Sequence, residues 1–213
     1  MKPIEDICKP DPGSTFLSYQ KRNSDGSLGE SRFLDLEFYY NTASQCSLPE
    51  EAPEAIGKLW DVSRNLLLYA YFEQTFFVAS DLYCAMVVEL TMRTACPDEI
   101  AEEKEKREKR GFVDWEPGFG WLLSKFKERL KKQLNGEELE FLFSSLEAMK
   151  WLRNDFAHPK DVPLLGVNMS MLDLTSHWLG AYYRGDLKKA IVQWMDVVKE
   201  RNDEFKKAME SAE

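Results

Sequence analysis

Between Pro53 and Cys96 the only helix breaker is Gly57. A stretch of this length without proline or further glycine reads as helix. It is too long for one helix of ordinary size, so it is expected as two long helices, joined or kinked in the sixties. Pro49–Glu50–Glu51–Ala52–Pro53 marks the start, with acids at the positive end of the helix dipole. Leu66 to Leu90 is apolar on most faces but carries Glu73, Asp81 and Glu89. That pattern fits the buried central helix of a bundle better than a membrane span. Pro97 ends it.

Downstream, Asp98–Arg110 holds six acids and five bases, the pattern of a solvated helix with exchanging ion pairs or of a loop. Gly111–Gly120 reads as a loop. Trp121–Asn135 repeats Leu122, Phe126, Leu130 and Leu134 at helical spacing, with Gly136 expected as its C′ residue. Glu137–Ala157 follows, with its stripe at Leu139, Leu142, Phe143, Leu146 and Met149. Ser170 and Asp173 have the spacing of a capping box for a helix ending near Gly185. Asp186 stands where it can cap a last helix with Leu187, Ile191, Trp194, Val198, Phe205 and Met209 on one face. Residues 1–52 differ: prolines, the Asn23–Gly26 turn cluster and two short runs, Thr15–Gln20 and Arg32–Tyr40, suggest a loop or a small two-stranded element. The expected fold class is therefore all-α: a helical bundle of five to six helices over 53–213, with an irregular or small β N-terminal extension over 1–52.

A net charge of −9 means the surface as a whole repels nucleic acid, so any RNA site has to be a local basic patch or groove. Cys8, Cys46, Cys84 and Cys96 form no C-x-x-C pair, and with two histidines in the chain no metal site and no cofactor is expected. Scattered cysteines and the lack of a basic segment leading into an apolar run point to a reduced, cytoplasmic protein, with no membrane partner.

The segment that carries chemistry is Leu152–Arg153–Asn154–Asp155–Phe156–Ala157–His158–Pro159. Arg153 lies four residues after Met149 and continues the apolar stripe, so it points inward or into a groove and needs an anionic partner. His158 precedes a proline at the helix end. On an ideal helix it sits about 140° round from Arg153 and about 7.5 Å along the axis, so the two could flank one phosphate without touching. Asn154, four residues before His158, shares its face if the last turn holds. Attack of a ribose 2′-hydroxyl on its own phosphodiester needs a proton acceptor, a proton donor and charge stabilisation. A histidine supplies proton transfer near neutral pH, and an arginine fork holds the phosphate. Spacing alone equally describes an arginine paired to a core acid and a histidine capping a helix end.

Arg153–Asn154 followed by His158 resembles the R-x4–6-H motif of HEPN domains, including the polar residue after the arginine. Ala85–Arg93 looks like the apolar helix that precedes that motif, and the Trp121–Leu134 helix with the Gly136 break follows the same order. The resemblance covers about residues 53–200 and is most specific over 150–159. It implies a helical bundle that dimerises, with two motifs facing each other in one composite active site. It also implies a metal-independent endoribonuclease of a toxin–antitoxin, antiviral defence or abortive-infection system. The family's inactive branch implies instead a silent module that binds a protein partner, such as a nucleotidyltransferase antitoxin. A helical adaptor outside the family is the remaining alternative.

Glu89 has two candidate partners: Arg93 at i+4, or Arg153, which the resemblance implies it would orient. Trp121–Asn135 carries a local net charge of +4, and Lys125, Arg129 and Lys132 fall on one face of a continuous helix, as an RNA-binding patch or as an ordinary solvated face. His177, near Trp178 and Tyr182, reads as a packing residue.

Overall fold

The computed structural model describes residues 9–10, 18–22, 28–33, 35–157 and 170–210. Among them the chain is all-α apart from one antiparallel hairpin, β1 (Ser18–Arg22) and β2 (Leu28–Phe33). The helices are α1 (Leu36–Gln45), α2 (Glu54–Tyr69), α3 (Thr75–Ala95), α4 (Pro97–Glu108), α5 (Phe119–Leu130), α6 (Gly136–Ala157), α7 (Ser170–Arg184) and α8 (Leu187–Glu210). Over 53–213 seven described helices, α2 to α8, replace the expected five to six, and α1 adds a helix in the N-terminal extension. The charged segment after Pro97 forms α4, with Glu102–Lys106, Glu103–Arg107 and Glu105–Lys109 paired at i, i+4. Arg32–Tyr40 divides between β2 and α1, because the Asp35 carboxylate accepts from Phe38 N at 2.8 Å and starts a helix there.

The chain forms two compact units, Met1–Val87 with Asp161–Ser176, and Val88–Lys160 with His177–Glu213. In the first, α1 and α2 are tied by Trp60 Nε1 donating to the Cys46 carbonyl at 2.6 Å and Arg64 Nε donating to that of Ala43 at 2.6 Å. Tyr39 packs its ring on Tyr71 and Phe77. Ser63, Ser80 and Cys84 form a buried polar contact between α2 and α3, each hydrogen-bonded. The break between α2 and α3 falls at 70–74, later than the sixties. No glycine or proline sets it; the Glu73 carboxylate accepts from Thr75 N and Oγ1 and restarts the helix. By length and composition alone α3 is also the described helix that could cross a bilayer.

Asp81, on α3 of this unit, has its carboxyl raised by burial to about 7 from 3.8. The folded chain holds a proton here that the unfolded chain loses near pH 4. Stability from this group is therefore fully present below about pH 4 and falls until pH passes 7, by at most about 4 kcal/mol. Asp81→Asn is expected to raise stability at pH 8 by about 2 kcal/mol and to remove that slope. Urea unfolding of both proteins from pH 4 to 8 measures it, and parallel curves would refute it.

The second unit holds α4, α5, α6 and α8 with the adjoining parts of α3 and α7. The expected stripes are buried: Leu122, Phe126, Leu130 and Leu134 on and after α5, and Leu139, Leu142, Phe143, Leu146 and Met149 on α6. Gly136 is not the C′ residue of α5 but the first residue of α6. Asn135 caps that helix: its Oδ1 accepts from Glu138 N at 2.9 Å while Glu138 Oε2 accepts from Asn135 N at 2.8 Å. This reciprocal pair satisfies two backbone donors at the start of α6. Asn135→Ala is expected to cost about 1 kcal/mol, read as a lower melting temperature with unchanged helix content at 20 °C or so. Gly185, with φ +77°, ends α7 in a Schellman turn in which Asp186 N donates to the Ala181 carbonyl.

Candidate functional site

Arg153 sits where its spacing puts it, one turn beyond Met149 on the core-facing side of α6, with a side chain 36% exposed. It reaches across to α3 and meets Glu89, Nη2 to Oε2 at 3.4 Å. Glu89 takes both of its candidate partners at once. Arg93 donates to its other oxygen, Oε1, from Nε at 3.3 Å and from Nη2 at 2.9 Å. The Glu89 carboxylate is 13% exposed, and a carboxylate so placed requires counter-charge.

Arg93 is anchored further. Its Nη2 donates to the Pro117 carbonyl at 2.8 Å and its Nη1 to Glu116 Oε2 at 3.1 Å. Lys104 binds the other Glu116 oxygen at 2.7 Å. The cluster thus sets Arg153, Arg93 and Lys104 against Glu89 and Glu116, a net positive charge in a protein of net charge −9. Glu89 and Arg93 were legible at i, i+4. Glu116, Lys104 and the Pro117 carbonyl were not, since no helical period links them to α3.

A guanidinium has five N–H donors, and the two arginines use them differently. Arg93 engages Nε and both terminal nitrogens on four bonds. Arg153 makes one long contact among the described residues. Asn154 is exposed beside it, and Trp151, one turn earlier, is 55% exposed. His158 lies outside the described residues.

The basic segment is arranged differently from the expectation. α5 ends at Leu130, so Lys132 lies in the turn that follows and does not share a helical face with Lys125 and Arg129. Lys125 pairs with Glu128 at 3.1 Å and Arg129 with Glu99 at 3.7 Å. Lys127 stands over the Phe143 ring at 5.3 Å, in an open groove of about 350 Å³ between α5 and α6 that also exposes Ser124, Ser144 and Glu147. His177 is exposed and sets its ring edge against Trp194, centroids 5.4 Å apart.

Burial pushes the Cys96 thiol up to about 11 and raises Cys46 and Cys84 as well. These thiols are protonated at neutral pH, which removes them as nucleophiles. Among the described residues no group of three or more histidine, cysteine, aspartate or glutamate side chains is placed to hold a metal ion. No family model, no curated protein and no solved structure matches this chain.

Proposed function

We propose that the chain is a HEPN-type helical domain acting as a metal-independent endoribonuclease, a toxin or defence effector whose composite site forms between two copies in the cytoplasm. The observation that carries this reading is the part-exposed Arg153, which among the described residues makes one contact, at 3.4 Å, and so can turn its donors to an incoming phosphate. In the proposed reaction a base takes the proton of a ribose 2′-hydroxyl, the 2′-oxygen bonds to phosphorus, and the bond from phosphorus to the 5′-oxygen breaks. A proton returns to that 5′-oxygen, leaving a 2′,3′-cyclic phosphate and a 5′-hydroxyl. His158 is assigned to proton transfer, Arg153 to the phosphate charge, and Asn154 to orientation. Glu89 holds Arg153 in place between turnovers. Lys125, Arg129 and Lys132 are assigned to the RNA backbone, with the first two having to exchange their carboxylate partners for phosphate.

No metal or cofactor enters this scheme. Cleavage of single-stranded RNA by the purified protein is expected to persist in excess EDTA, with products carrying cyclic phosphate ends. Gel analysis of end-labelled RNA tests this; activity lost in EDTA and restored by magnesium would replace the mechanism with a metal-assisted one.

A second reading is favoured by the pairing of Lys125 and Arg129 with carboxylates, which lowers the positive field available to RNA. In that reading the domain is a silent HEPN module binding a protein partner, such as a nucleotidyltransferase antitoxin. It predicts no cleavage by wild-type protein under any condition.

A further inference from the structure

We propose that Arg93 is a positioning residue that keeps Arg153 available to an anionic ligand by occupying the carboxylate that would otherwise capture it. The proposal rests on the reading of Arg153 as a phosphate-binding residue. Its physical basis is how the two guanidiniums share Glu89.

Glu89 is the one described carboxylate paired with Arg153, and it is largely shielded from water. A carboxylate and a guanidinium in that setting favour a bidentate fork, with two short parallel bonds. Such a fork would engage Arg153 on both oxygens and oppose its transfer to phosphate. Arg93 prevents it. It takes Oε1 through two nitrogens, at 3.3 and 2.9 Å, and leaves Arg153 only Oε2, at 3.4 Å. Arg93 is held there by its remaining contacts, Glu116 at 3.1 Å and the Pro117 carbonyl at 2.8 Å. When Arg153 turns to a phosphate, Glu89 still has a full counter-charge, so no buried carboxylate is stranded.

Arg93 therefore acts on the site through Glu89 and touches no reacting atom. Its removal is expected to tighten the hold of Glu89 on Arg153. Removing the Glu89 charge as well is expected to undo that effect, since a neutral amide cannot capture a guanidinium in the same way.

The test follows the rate at which phenylglyoxal modifies Arg153 in the folded chain, read at that residue by peptide mass spectrometry after quenching and digestion, in wild type, Arg93→Ala, Arg93→Lys, Glu89→Gln and the Arg93→Ala/Glu89→Gln double variant. Modification is expected to slow about fivefold in Arg93→Ala and to return to the wild-type rate or above in the double variant. Arg93→Lys, which keeps the charge but loses the fork, is expected to fall between. In parallel, KM for a single-stranded RNA is expected to rise in Arg93→Ala with kcat less affected, and Glu89→Gln is expected to reverse the rise. An unchanged Arg153 rate in Arg93→Ala, or a loss that Glu89→Gln does not rescue, overturns the proposal, the second outcome marking Arg93 as structural only. If Arg93→Ala melts too early, Arg93→Lys alone decides on the same readout. Arg153 rates that move as expected in a wild-type protein that cleaves no RNA uphold the clamp and sink the ribonuclease reading instead.

Discussion

An Arg153→Ala chain is expected to lose RNA cleavage by about a thousandfold or more in kcat/KM while keeping its fold. The loss is large because a guanidinium placed on a phosphate stabilises charge that grows in the transition state, and the other arginine of the Glu89 cluster is already committed: Arg93 engages Nε and both terminal nitrogens on Glu89, Glu116 and the Pro117 carbonyl. The stability cost is small for a reason visible in the same cluster. The side chain is 36% exposed and its ion pair with Glu89 is long, and Glu89 retains Arg93 after the truncation. A change within about 1 kcal/mol is expected on unfolding. Wild-type-like cleavage by the variant removes Arg153 from the mechanism. A large fall in melting temperature assigns it to the core instead. Mixing Arg153→Ala chains with His158→Ala chains extends the measurement: partial recovery on mixing is the signature of a site completed between two copies.

Phe126→Ala is expected to destabilise the second unit by about 3–5 kcal/mol, lowering its melting temperature by about 10 °C. Phe126 is fully buried and stands among the rings of Phe143, Trp178 and Tyr182 at centroid distances of 6.3, 6.5 and 5.5 Å. Truncation removes the ring and leaves a cavity that helices α5, α6 and α7 cannot close by side-chain rotation alone. Phe126→Leu refills part of the space and is expected to recover more than half of the loss. Thermal unfolding followed by circular dichroism measures both. A loss under 1 kcal/mol or so in Phe126→Ala contradicts the packing described.

The core of the second unit was readable in the sequence because burial on a helix has a fixed period. Leu122, Phe126 and Leu130, and Leu139 through Met149, repeat at that period and are buried. The same period put Arg153 on the stripe, pointing inward or into a groove; in the structure it follows Met149 with its side chain 36% exposed and set against Glu89. Local chemistry was harder to weigh. Asn135–Gly136–Glu137–Glu138 contains both a glycine able to end one helix and an asparagine and glutamate able to start the next. The two signals compete over adjacent residues, and the reciprocal hydrogen bonds of Asn135 and Glu138 decide for the start. The helix face assumed for Lys125, Arg129 and Lys132 failed for a related reason: the period is informative only while the helix lasts, and α5 stops at Leu130.

By itself the sequence determined that this chain is helical, which residues form its stripes, and that Arg153 and Glu89 are charges placed against apolar surface. Those properties follow from backbone sterics and from the 3.6-residue period, which act over a few neighbouring positions. Only the tertiary structure decided what those charges do to each other. Glu89 and Arg153 lie on different helices, and Glu116 and Pro117 come from the segment between α4 and α5. Whether Glu89 pairs with one arginine or divides its two oxygens between two depends on how closely α3 and α6 approach, a distance that no local spacing encodes.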